Sequence, residues 1–356
     1  CAGTNQVPVI VPADSKLEVT DPLFDTPVPE RAVMAVMTSG TTGIPKILFR
    51  SFESWADFFA IQNAVFGVDA DSRLFVQGSL AFTGNLNLYM GQLAAGGTLI
   101  AEDVFLPGKW EQVMARERAN GIYLIPSKLL MLPRVFKGVN ANIRTIISGS
   151  QSLGRKDAEV LKKIFPNTEI TLYYGASELN YITYVKSADM TEERNLIGKP
   201  FPGVRVFIQD DEMYVDNAFH VENITVPYSL KDSGRMDLQG NFYFLGRTDD
   251  IVGVRGRKVS MMKIENALEE VAGITEAAVV LLPKEKDADM PAEIVSAFVT
   301  VEGTDVPENL RQQLKEKLAD FEIPKRVIVL EAFPKNTSGK VDKARLKKMW
   351  IEQEPQ

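Results

Sequence analysis

Short β-branched runs alternate with longer helical patterns between residues 31 and 174, and this alternation constrains the fold more than any other feature of the sequence. The strand candidates are Val33–Met37, Leu74–Gln77, Thr98–Ala101, Ile122–Ile125, Arg144–Ile147 and Ile170–Tyr173. The helix candidates between them are Glu53–Val65, Trp110–Ala119, Lys128–Phe136 and Arg155–Ile164. Strands that alternate with helices are typical of βαβ units, so the sequence predicts an α/β fold with a largely parallel sheet.

The pattern changes twice after this region. From Gly203 to Arg247, short runs separated by turn signals predict a small β-rich region. The elements predicted beyond it are a helix at Met262–Val271, strands at Ala277–Leu282 and Ile294–Val301, a helix beginning at Pro307 and a strand at Val327–Leu330. We therefore expect an N-terminal domain of residues 1–248, with its β-rich part at about 197–247, and a small α+β domain of residues 249–356.

Composition and charge argue against several classes of protein. The chain has 356 residues, a length that favours two or more domains, and its net charge of -7 argues against a general nucleic-acid-binding protein. Its apolar runs are too short to span a membrane, no secretory signal pattern is present, and the single cysteine, Cys1, allows no intrachain disulfide, so we expect a cytoplasmic setting. His220 is the only histidine, and we expect it on the surface.

The segment TSGTTGIPK (Thr38–Lys46) follows an apolar strand and combines hydroxyl side chains, glycines and a lysine. It does not fit the Walker A pattern, because Pro45 precedes the lysine and Ile47 follows it. It still suits phosphate binding, because Gly40 and Gly43 let backbone N–H groups turn toward an anion. The alternative is a polar turn between two strands. The hydroxyl donors are Thr38, Ser39, Thr41 and Thr42.

Two further polar loops that carry a glycine follow predicted strands. They are Ser148–Leu153 (SGSQSL) and Tyr173–Leu179 (YYGASEL). The carboxyl ends of parallel strands meet at one edge of a sheet, where open α/β folds bind ligands. We therefore expect the three polar loops to form one composite site.

Four segments together resemble the adenylate-forming superfamily, which comprises acyl-CoA synthetases, nonribosomal-peptide adenylation domains and luciferases. They are TSGTTGIPK, YYGASE, DSGRMDLQGNFYFLGRTDDIV and PKNTSGKVDKARL, and they lie in this order between Met37 and Leu346. The resemblance implies an AMP-forming acid–thiol ligase of acyl-CoA synthetase type. Such an enzyme uses ATP to convert a carboxylate to acyl-AMP and pyrophosphate, and a thiol, usually of coenzyme A or a carrier pantetheine, then displaces AMP.

The resemblance also assigns the nucleotide contacts. The Thr38–Lys46 loop, with Lys46 at its end, would close over the β- and γ-phosphates as a mobile lid. Glu178 matches the glutamate that helps to hold Mg²⁺, and its alternative role is to counter a helix dipole. Asp232 and Arg247 would bind the ribose hydroxyls, although Asp232 alone would fit a turn cap. The remaining residues expected at the nucleotide are Ser177 at the α-phosphate, Tyr174 against the adenine, Gly175, and Ser150 and Gln151 in the loop that lines both the adenine and the acyl pocket.

Lys340 is the expected catalytic lysine. In the family, the lysine of this glycine turn bridges the acyl carboxylate and the α-phosphate, where a preorganised cation stabilises the transition state more than the ground state. The alternative is a solvated lysine in a basic tail. Asp249 matches the hinge about which the small domain rotates before thiol attack, and Gly256 would leave a gap for pantetheine.

The segment Leu80–Leu93 aligns with the part of the family that lines the acyl pocket. Amino-acid-activating domains place an aspartate where this chain has Thr83, so an α-amino acid would lack a counter-ion in a desolvated pocket. Phe82, Leu86, Leu88 and Tyr181 favour an apolar or aromatic acyl group, whereas Asn85 and Asn87 suit a polar substituent. Aryl acids and medium acyl chains both remain open. The expected pocket residues are Phe82, Thr83, Asn87 and Gly149.

Only 37 residues precede the Thr38–Lys46 loop, so the chain is either a compact member of the family or part of a longer protein. The sequence leaves three functions open. The first is a ligase that acts on a small carboxylic acid, ATP and coenzyme A. The second is a stand-alone adenylating enzyme that loads an acyl carrier protein. The third is a catalytically weak homologue that binds ATP without exchanging pyrophosphate.

Overall fold

The protein is described here by a computed structural model that covers residues 6–11, 22–38, 46–254, 256–284, 293–335 and 341–352. Contacts divide the chain into two compact units. The first comprises Cys1–Leu230 and Arg235–Phe244, and the second comprises Lys231–Gly234 and Leu245–Gln356. The chain therefore passes between the units three times around residues 230–245, rather than once. The predicted domain boundary near Asp249 stays a prediction.

The first unit contains strands β1 (Val9–Ile10), β2 (Ala32–Thr38), β3 (Lys46–Ser51), β4 (Arg73–Gln77), β5 (Thr98–Glu102), β6 (Gly121–Tyr123), β7 (Thr145–Gly149), β8 (Glu169–Ala176), β9 (Asn180–Lys186), β10 (Leu196–Pro200), β11 (Val204–Gln209) and β12 (Glu212–Asn217). Its helices are α1 (Phe52–Ala56), α2 (Phe58–Phe66), α3 (Thr83–Ala94), α4 (Pro107–Arg116), α5 (Pro126–Leu129), α6 (Leu132–Val135) and α7 (Arg155–Ile164). Strands β13 (Tyr228–Met236) and β14 (Phe242–Arg247) contribute residues to both units.

One large mixed sheet forms the centre of this unit, with strand order β11-β12-β13-β14-β10-β9-β8-β7-β6-β4-β5. Strands β5, β4, β6, β7 and β8 are parallel, and β9 pairs antiparallel with β8. The predicted α/β fold with a largely parallel layer is therefore confirmed. The β-rich segment after Gly203 extends this same sheet, because β10 pairs with β14 on one side and with β9 on the other. Strand β9 was not predicted.

The parallel strands are buried on both faces, as helices on each side of a sheet require. Consecutive residues Leu74 and Phe75 of β4 enter opposite hydrophobic clusters, and so do Ile146 and Ile147 of β7. This division follows from the two-residue period of a strand. The carboxyl ends of β4, β6, β7 and β8 consequently share one edge, and the loops that follow them are held by a rigid core.

The strands on either side of the Thr38–Lys46 segment do not belong to the parallel sheet. Strand β2 pairs antiparallel with β3, with Thr38 opposite Lys46, and both lie in a separate three-stranded sheet, β1-β2-β3. The prediction that this segment follows a strand of the parallel sheet was wrong. An apolar strand has the same pattern in either kind of sheet, and only its pairing partner decides between them.

Several predicted helices are interrupted, and one was missed. The expected helix Glu53–Val65 is divided at Asp57 into α1 and α2, and the expected helix Lys128–Phe136 is divided into α5 and α6. Helix α3 went unrecognised because its first turns contain Gly84 and two asparagines, residues with low helix propensity. Packing of its buried face compensates for that propensity.

The second unit contains β15 (Ile251–Val254), β16 (Arg257–Ser260), α8 (Met261–Glu269), β17 (Ile274–Pro283), β18 (Glu293–Val301), α9 (Leu310–Lys315), β19 (Arg326–Val329) and α10 (Lys343–Glu352). Strands β17, β18 and β19 form a sheet, and β15 and β16 form a hairpin. Leu310, Leu314 and Leu318 enter the core of this unit, as the predicted apolar face requires. Among the helices that the structure describes, none has the length and apolar character needed to cross a membrane.

Candidate active site

A groove of about 630 Å³ in the first unit brings together two side chains that the sequence assigned to ATP. Lys46, the first residue of β3, and Glu178, in the turn after β8, both line it. Lys46 is exposed and Glu178 is half-buried, so both are accessible to a ligand. A cation and a carboxylate in one groove suit a phosphate chain that carries a divalent metal ion.

The turn that carries Ser177 and Glu178 is anchored on both sides. The Ser177 hydroxyl accepts a hydrogen bond from Thr83 Oγ1 at 3.0 Å, and the Glu178 carbonyl accepts one from the Val221 amide at 2.9 Å. Before the turn, the β8–β9 ladder has a bulge at Gly175, where an added Cβ would lie 2.6 Å from the Asn180 carbonyl oxygen. The backbone therefore fixes where the Glu178 side chain emerges.

Arg50 is a buried cation beneath this turn, and our sequence analysis missed it. Its side chain is 0% exposed, and its guanidinium donates to the carbonyl oxygens of Ser177 (2.8 Å), Phe219 (3.0 Å) and Ser54 (3.3 Å). Burial lowers the pKa of Arg50 to about 10, while the nearby charge of Glu178 acts in the opposite direction. The signal available in the sequence was an arginine within the otherwise apolar run of β3.

Arg50 forms no ion pair with an acidic side chain in the described ranges of the chain. Its charge is therefore balanced by carbonyl dipoles and by the more distant Glu178 carboxylate. Arg50 therefore holds the turn through its hydrogen bonds, and its positive charge attracts the carboxylate of Glu178.

The loop after β7 carries three predicted site residues. Gly149 ends β7, and Ser150 follows it in the left-handed region with a φ of 70°, an unusual conformation for a residue with a side chain. Gln151 accepts a hydrogen bond from the Ser127 amide at 3.0 Å, which ties this loop to the start of α5. On the neighbouring strand, the ring of Tyr174 packs against Phe244 with centroids 5.8 Å apart.

The predicted acyl-pocket residues have different environments. Phe82 is exposed at the start of α3, and Thr83 contacts Ser177. Asn87 is 1% exposed, and its side chain accepts from Trp55 Nε1 at 2.9 Å and donates to Asn180 Oδ1 at 2.6 Å. These bonds favour a structural role for Asn87 over the predicted substrate contact. The side chains of Leu86 and Leu88 also lie in hydrophobic cores, so these two leucines do not indicate an apolar acyl group.

In the second unit, the two residues predicted to bind ribose lie together. Arg247 Nε is 3.6 Å from Asp232 Oδ1, and Asp232 is 4% exposed. Asp249 belongs to a 3₁₀ turn, Thr248–Asp250, and its side chain lies outside the described residues. Gly256 has a φ of 78° in the turn of the β15–β16 hairpin, and nothing lies within 4 Å of a Cβ added there.

Several predicted residues lie outside the part of the chain that the structure describes. Lys340 is one of them, although a β-bridge between Lys335 and Val341 brackets its segment. Thr38 is described by its backbone only. The others are Ser39, Gly40, Thr41, Thr42 and Gly43. His220, expected on the surface, is partly buried, with its Nδ1 2.7 Å from the Val221 carbonyl oxygen.

Comparison with known protein families shows which family has this fold. The model of the family described as AMP-binding enzyme matches residues 5–218, and that of the AMP-binding enzyme C-terminal domain matches residues 263–340. The chain belongs to the AMP-binding enzyme family. The predicted membership of the adenylate-forming superfamily is thereby confirmed, and with it the prediction of an AMP-forming ligase.

Individual relatives of this AMP-binding enzyme differ in function. An uncharacterized acyl–CoA ligase, YhfT, of Bacillus subtilis is 27% identical over 99% of this chain and 76% of its own length. A delta-poly-L-ornithine synthetase of Acinetobacter baumannii is 25% identical over 90% of this chain but only 26% of its own length. The ATP-bound crystal structure of MatB from Rhodopseudomonas palustris shares the fold, with a TM-score of 0.77 at 23% identity, over 90% of this chain and 68% of that one.

Proposed function

We propose that this AMP-binding enzyme activates a carboxylic acid, aryl or acyl but not an α-amino acid, with ATP to form acyl-AMP, and then transfers the acyl group to the thiol of coenzyme A. The observation that carries the proposal is the groove shared by Lys46 and Glu178, with Ser177 in the same turn as Glu178. The family match supports it, and so does the acyl–CoA ligase relative that spans nearly the whole chain.

The residues of the groove fit ATP with Mg²⁺. Magnesium usually binds proteins through one or two carboxylates and completes its shell with water and substrate phosphates, so the single half-buried carboxylate of Glu178 suits it. Bound Mg²⁺ would supply charge neutralisation for the phosphates. Lys46 would bind the β- and γ-phosphates, and the Ser177 hydroxyl would donate to the α-phosphate.

In the first half-reaction, a carboxylate oxygen attacks the α-phosphorus, the bond to the bridging oxygen of the β-phosphate breaks, and pyrophosphate leaves. Lys340 would place its ammonium between the attacking carboxylate and the α-phosphate, where negative charge concentrates. In the second half-reaction, the thiolate attacks the acyl carbon, and AMP leaves with the oxygen that came from the acid. Asp232 and Arg247 would hold the ribose throughout.

Thr83 is the reason that we exclude α-amino acids as substrates. An ammonium group buried without a counter-ion is costly, and the Thr83 hydroxyl, which donates to Ser177, offers no charge. Coenzyme A is the proposed acceptor because the relative that matches 99% of the chain is an acyl–CoA ligase. An acyl carrier protein is the alternative acceptor.

Acid-dependent ATP–pyrophosphate exchange tests the first half-reaction. We expect exchange with a non-amino acid, reduced about 10²-fold or more in Glu178→Gln and in Lys340→Ala, because each removes a group that stabilises charge in the transition state. Glu159→Gln, at an exposed position of α7, is the matched control and should leave the rate unchanged. ATP binding without exchange for any acid would overturn the proposal in favour of a catalytically weak nucleotide-binding protein.

A second assay identifies the acceptor. Enzyme with ATP and the acid is titrated with coenzyme A or with a pantetheinylated acyl carrier protein, and thioester is measured. The proposal expects saturable thioester formation with coenzyme A. If thioester forms with the carrier protein and not with coenzyme A, the acceptor is the carrier protein and the proposal of coenzyme A is wrong.

A further inference from the structure

A cluster of four buried tyrosines adjoins two glycines, one a predicted residue of the acyl pocket and the other next to such a residue. The glycines are Gly149, at the end of β7, and Gly84, which follows Thr83 on α3. The tyrosines are Tyr89, Tyr123, Tyr173 and Tyr181, and each is at most 6% exposed. A glycine at a pocket position leaves room for a ligand unless another side chain fills that room, so the groups beside these glycines bear on which acid is accepted.

The ring of Tyr173 fills the room in front of both glycines. A Cβ added to Gly149 would lie 2.4 Å from the Tyr173 ring, and a Cβ added to Gly84 would lie 2.7 Å from the Tyr173 hydroxyl and 3.2 Å from the Tyr123 hydroxyl. Gly149 and Tyr173 are paired residues of β7 and β8, so the ring leans across the glycine.

The tyrosines are held in place by one another and by α3. Tyr123 and Tyr173 share a hydrogen bond of 2.8 Å between their hydroxyls, Tyr181 donates to the Gly84 carbonyl at 2.9 Å, and Tyr89 donates to the Gly78 carbonyl at 3.0 Å. The ring centroids of Tyr173 and Tyr181 are 4.4 Å apart. Burial raises the pKa of Tyr173 to about 12, so the ring stays a neutral phenol near neutral pH. These bonds restrict rotation of Tyr173 away from the glycines.

The tyrosines also lie close to the proposed reaction centre. The Thr83 hydroxyl contacts Ser177, the residue that we place at the α-phosphate, and Gly84 is the next residue of the chain. An acyl chain that extends from a carboxylate at Ser177 past Thr83 would therefore reach the hydroxyls of Tyr173 and Tyr123 beside Gly84. A close-packed wall disfavours additional methylene groups strongly, because neither the packed side chains nor the acyl chain can move aside without strain.

We propose that Tyr173, supported by Tyr123 and Tyr181, closes the acyl pocket, so that the enzyme selects short aliphatic acids of about two to four carbon atoms over aryl and medium-chain acids. This inference rests on the proposed function and specifies its substrate class. Tyr173 acts as a specificity-determining wall, and its hydroxyl takes no part in the chemistry.

Pyrophosphate exchange across an acid series tests the inference. The series is acetate, propionate, butyrate, hexanoate, octanoate and benzoate, measured with the wild type and with Tyr173→Ala. We expect the wild type to use octanoate and benzoate about 10²-fold less efficiently than propionate, since one methylene group is worth about tenfold or more in a tight pocket. Tyr173→Ala should raise the ratio of octanoate to propionate by about tenfold or more.

Two further variants keep the test decisive. Tyr184→Ala removes a partly buried ring that packs on Phe201 at 4.8 Å, and it should leave the chain-length profile unchanged. Tyr173→Leu replaces the alanine variant if that variant does not fold, and a shift toward longer acids is again expected. The inference would be overturned if the wild type used octanoate or benzoate as well as propionate, or if a folded Tyr173 variant kept the wild-type profile. Either result would leave the proposed function standing. No exchange with any acid in any variant would overturn the proposed function and this inference with it.

Discussion

At the scale of single residues, Arg50 shows how much of this site depends on a side chain that cannot reach a ligand. It is fully buried and bonds three carbonyl oxygens, including that of Ser177. We predict that Arg50→Met lowers the free energy of unfolding by about 3 kcal/mol or more, because three carbonyl acceptors lose the donor that satisfies them. Urea denaturation measures this change.

The matched control for this prediction is Arg31→Met. Arg31 pairs with Glu53 at 3.2 Å, but both side chains are more than 60% exposed, at 65% and 61%. Exposed ion pairs contribute little, so Arg31→Met should change the free energy of unfolding far less than Arg50→Met does. Equal, small effects of the two substitutions would show that Arg50 does not hold the turn.

Tyr173 predicts a pH dependence of stability. Its pKa rises from 10.0 to about 12 in the folded state because of burial, so its contribution is fully present below pH 10 and is lost as the pH rises through about 12. Stability should therefore fall with pH in this window, by up to about 1.4 kcal/mol per pH unit for this group. Tyr173→Phe removes one titrating group, so the pH dependence of the free energy of unfolding should become shallower by the equivalent of about one proton. Urea midpoints between pH 9 and 11.5 test this, with Tyr214→Phe as the control for loss of a phenol hydroxyl, and an unchanged slope in Tyr173→Phe would contradict it.

Residue roles could be predicted from the sequence where a motif fixes the backbone, and less well where packing decides. Lys46 and Glu178 belong to motifs, and both line one groove. The polar character of Asn87 predicts a substrate contact, yet its side chain is hydrogen-bonded to Trp55 and Asn180. Residues distant in sequence supply these partners, and no local pattern identifies them.

At the scale of secondary-structure elements, the bulge at Gly175 positions the turn that carries Ser177 and Glu178. Its Cβ position lies 2.6 Å from the Asn180 carbonyl oxygen and 3.1 Å from Tyr181 Cα, so any side chain displaces backbone. We predict that Gly175→Ala lowers pyrophosphate exchange by about 10²-fold, since a misplacement of about 1 Å in catalytic groups has that effect.

Gly108→Ala is the control for this prediction. Gly108 lies in α4, and nothing lies within 4 Å of a Cβ added there, so the substitution should stabilise the helix by about 0.5–1 kcal/mol and leave exchange unchanged. Circular dichroism on both variants separates unfolding from displacement of the turn. A folded Gly175→Ala enzyme with the wild-type rate would show that the bulge does not control the site.

Element types were more predictable than element partners. The parallel strands and α7 carry strong periodic patterns, and they occur near their predicted positions. Hairpin β2–β3 was assigned to the wrong sheet, and the strands after Gly203 were not expected to extend the large sheet. Strand pairing depends on contacts between segments that are far apart in sequence, which hydrophobic periodicity does not encode.

At the scale of the whole molecule, we predict that Asp249 is a hinge that must rotate between the first half-reaction and the second. Proline at this position would fix φ near −65° and restrict the backbone of the 3₁₀ turn Thr248–Asp250. If the hinge must rotate before thiol attack, Asp249→Pro should keep pyrophosphate exchange within about threefold of the wild type and reduce thioester formation by about tenfold or more. Equal losses in the two half-reactions would contradict a hinge at this residue.

The central claim, that a carboxylate attacks the α-phosphorus of ATP, is tested most directly by isotope transfer. The acid is labelled with ¹⁸O in its carboxylate and incubated with the enzyme, ATP, Mg²⁺ and coenzyme A, and the nucleotide product is examined by mass spectrometry. The account predicts AMP that carries one labelled oxygen, because the attacking carboxylate oxygen stays on phosphorus when the thiol displaces AMP. Formation of ADP, or of AMP without the label, would contradict it.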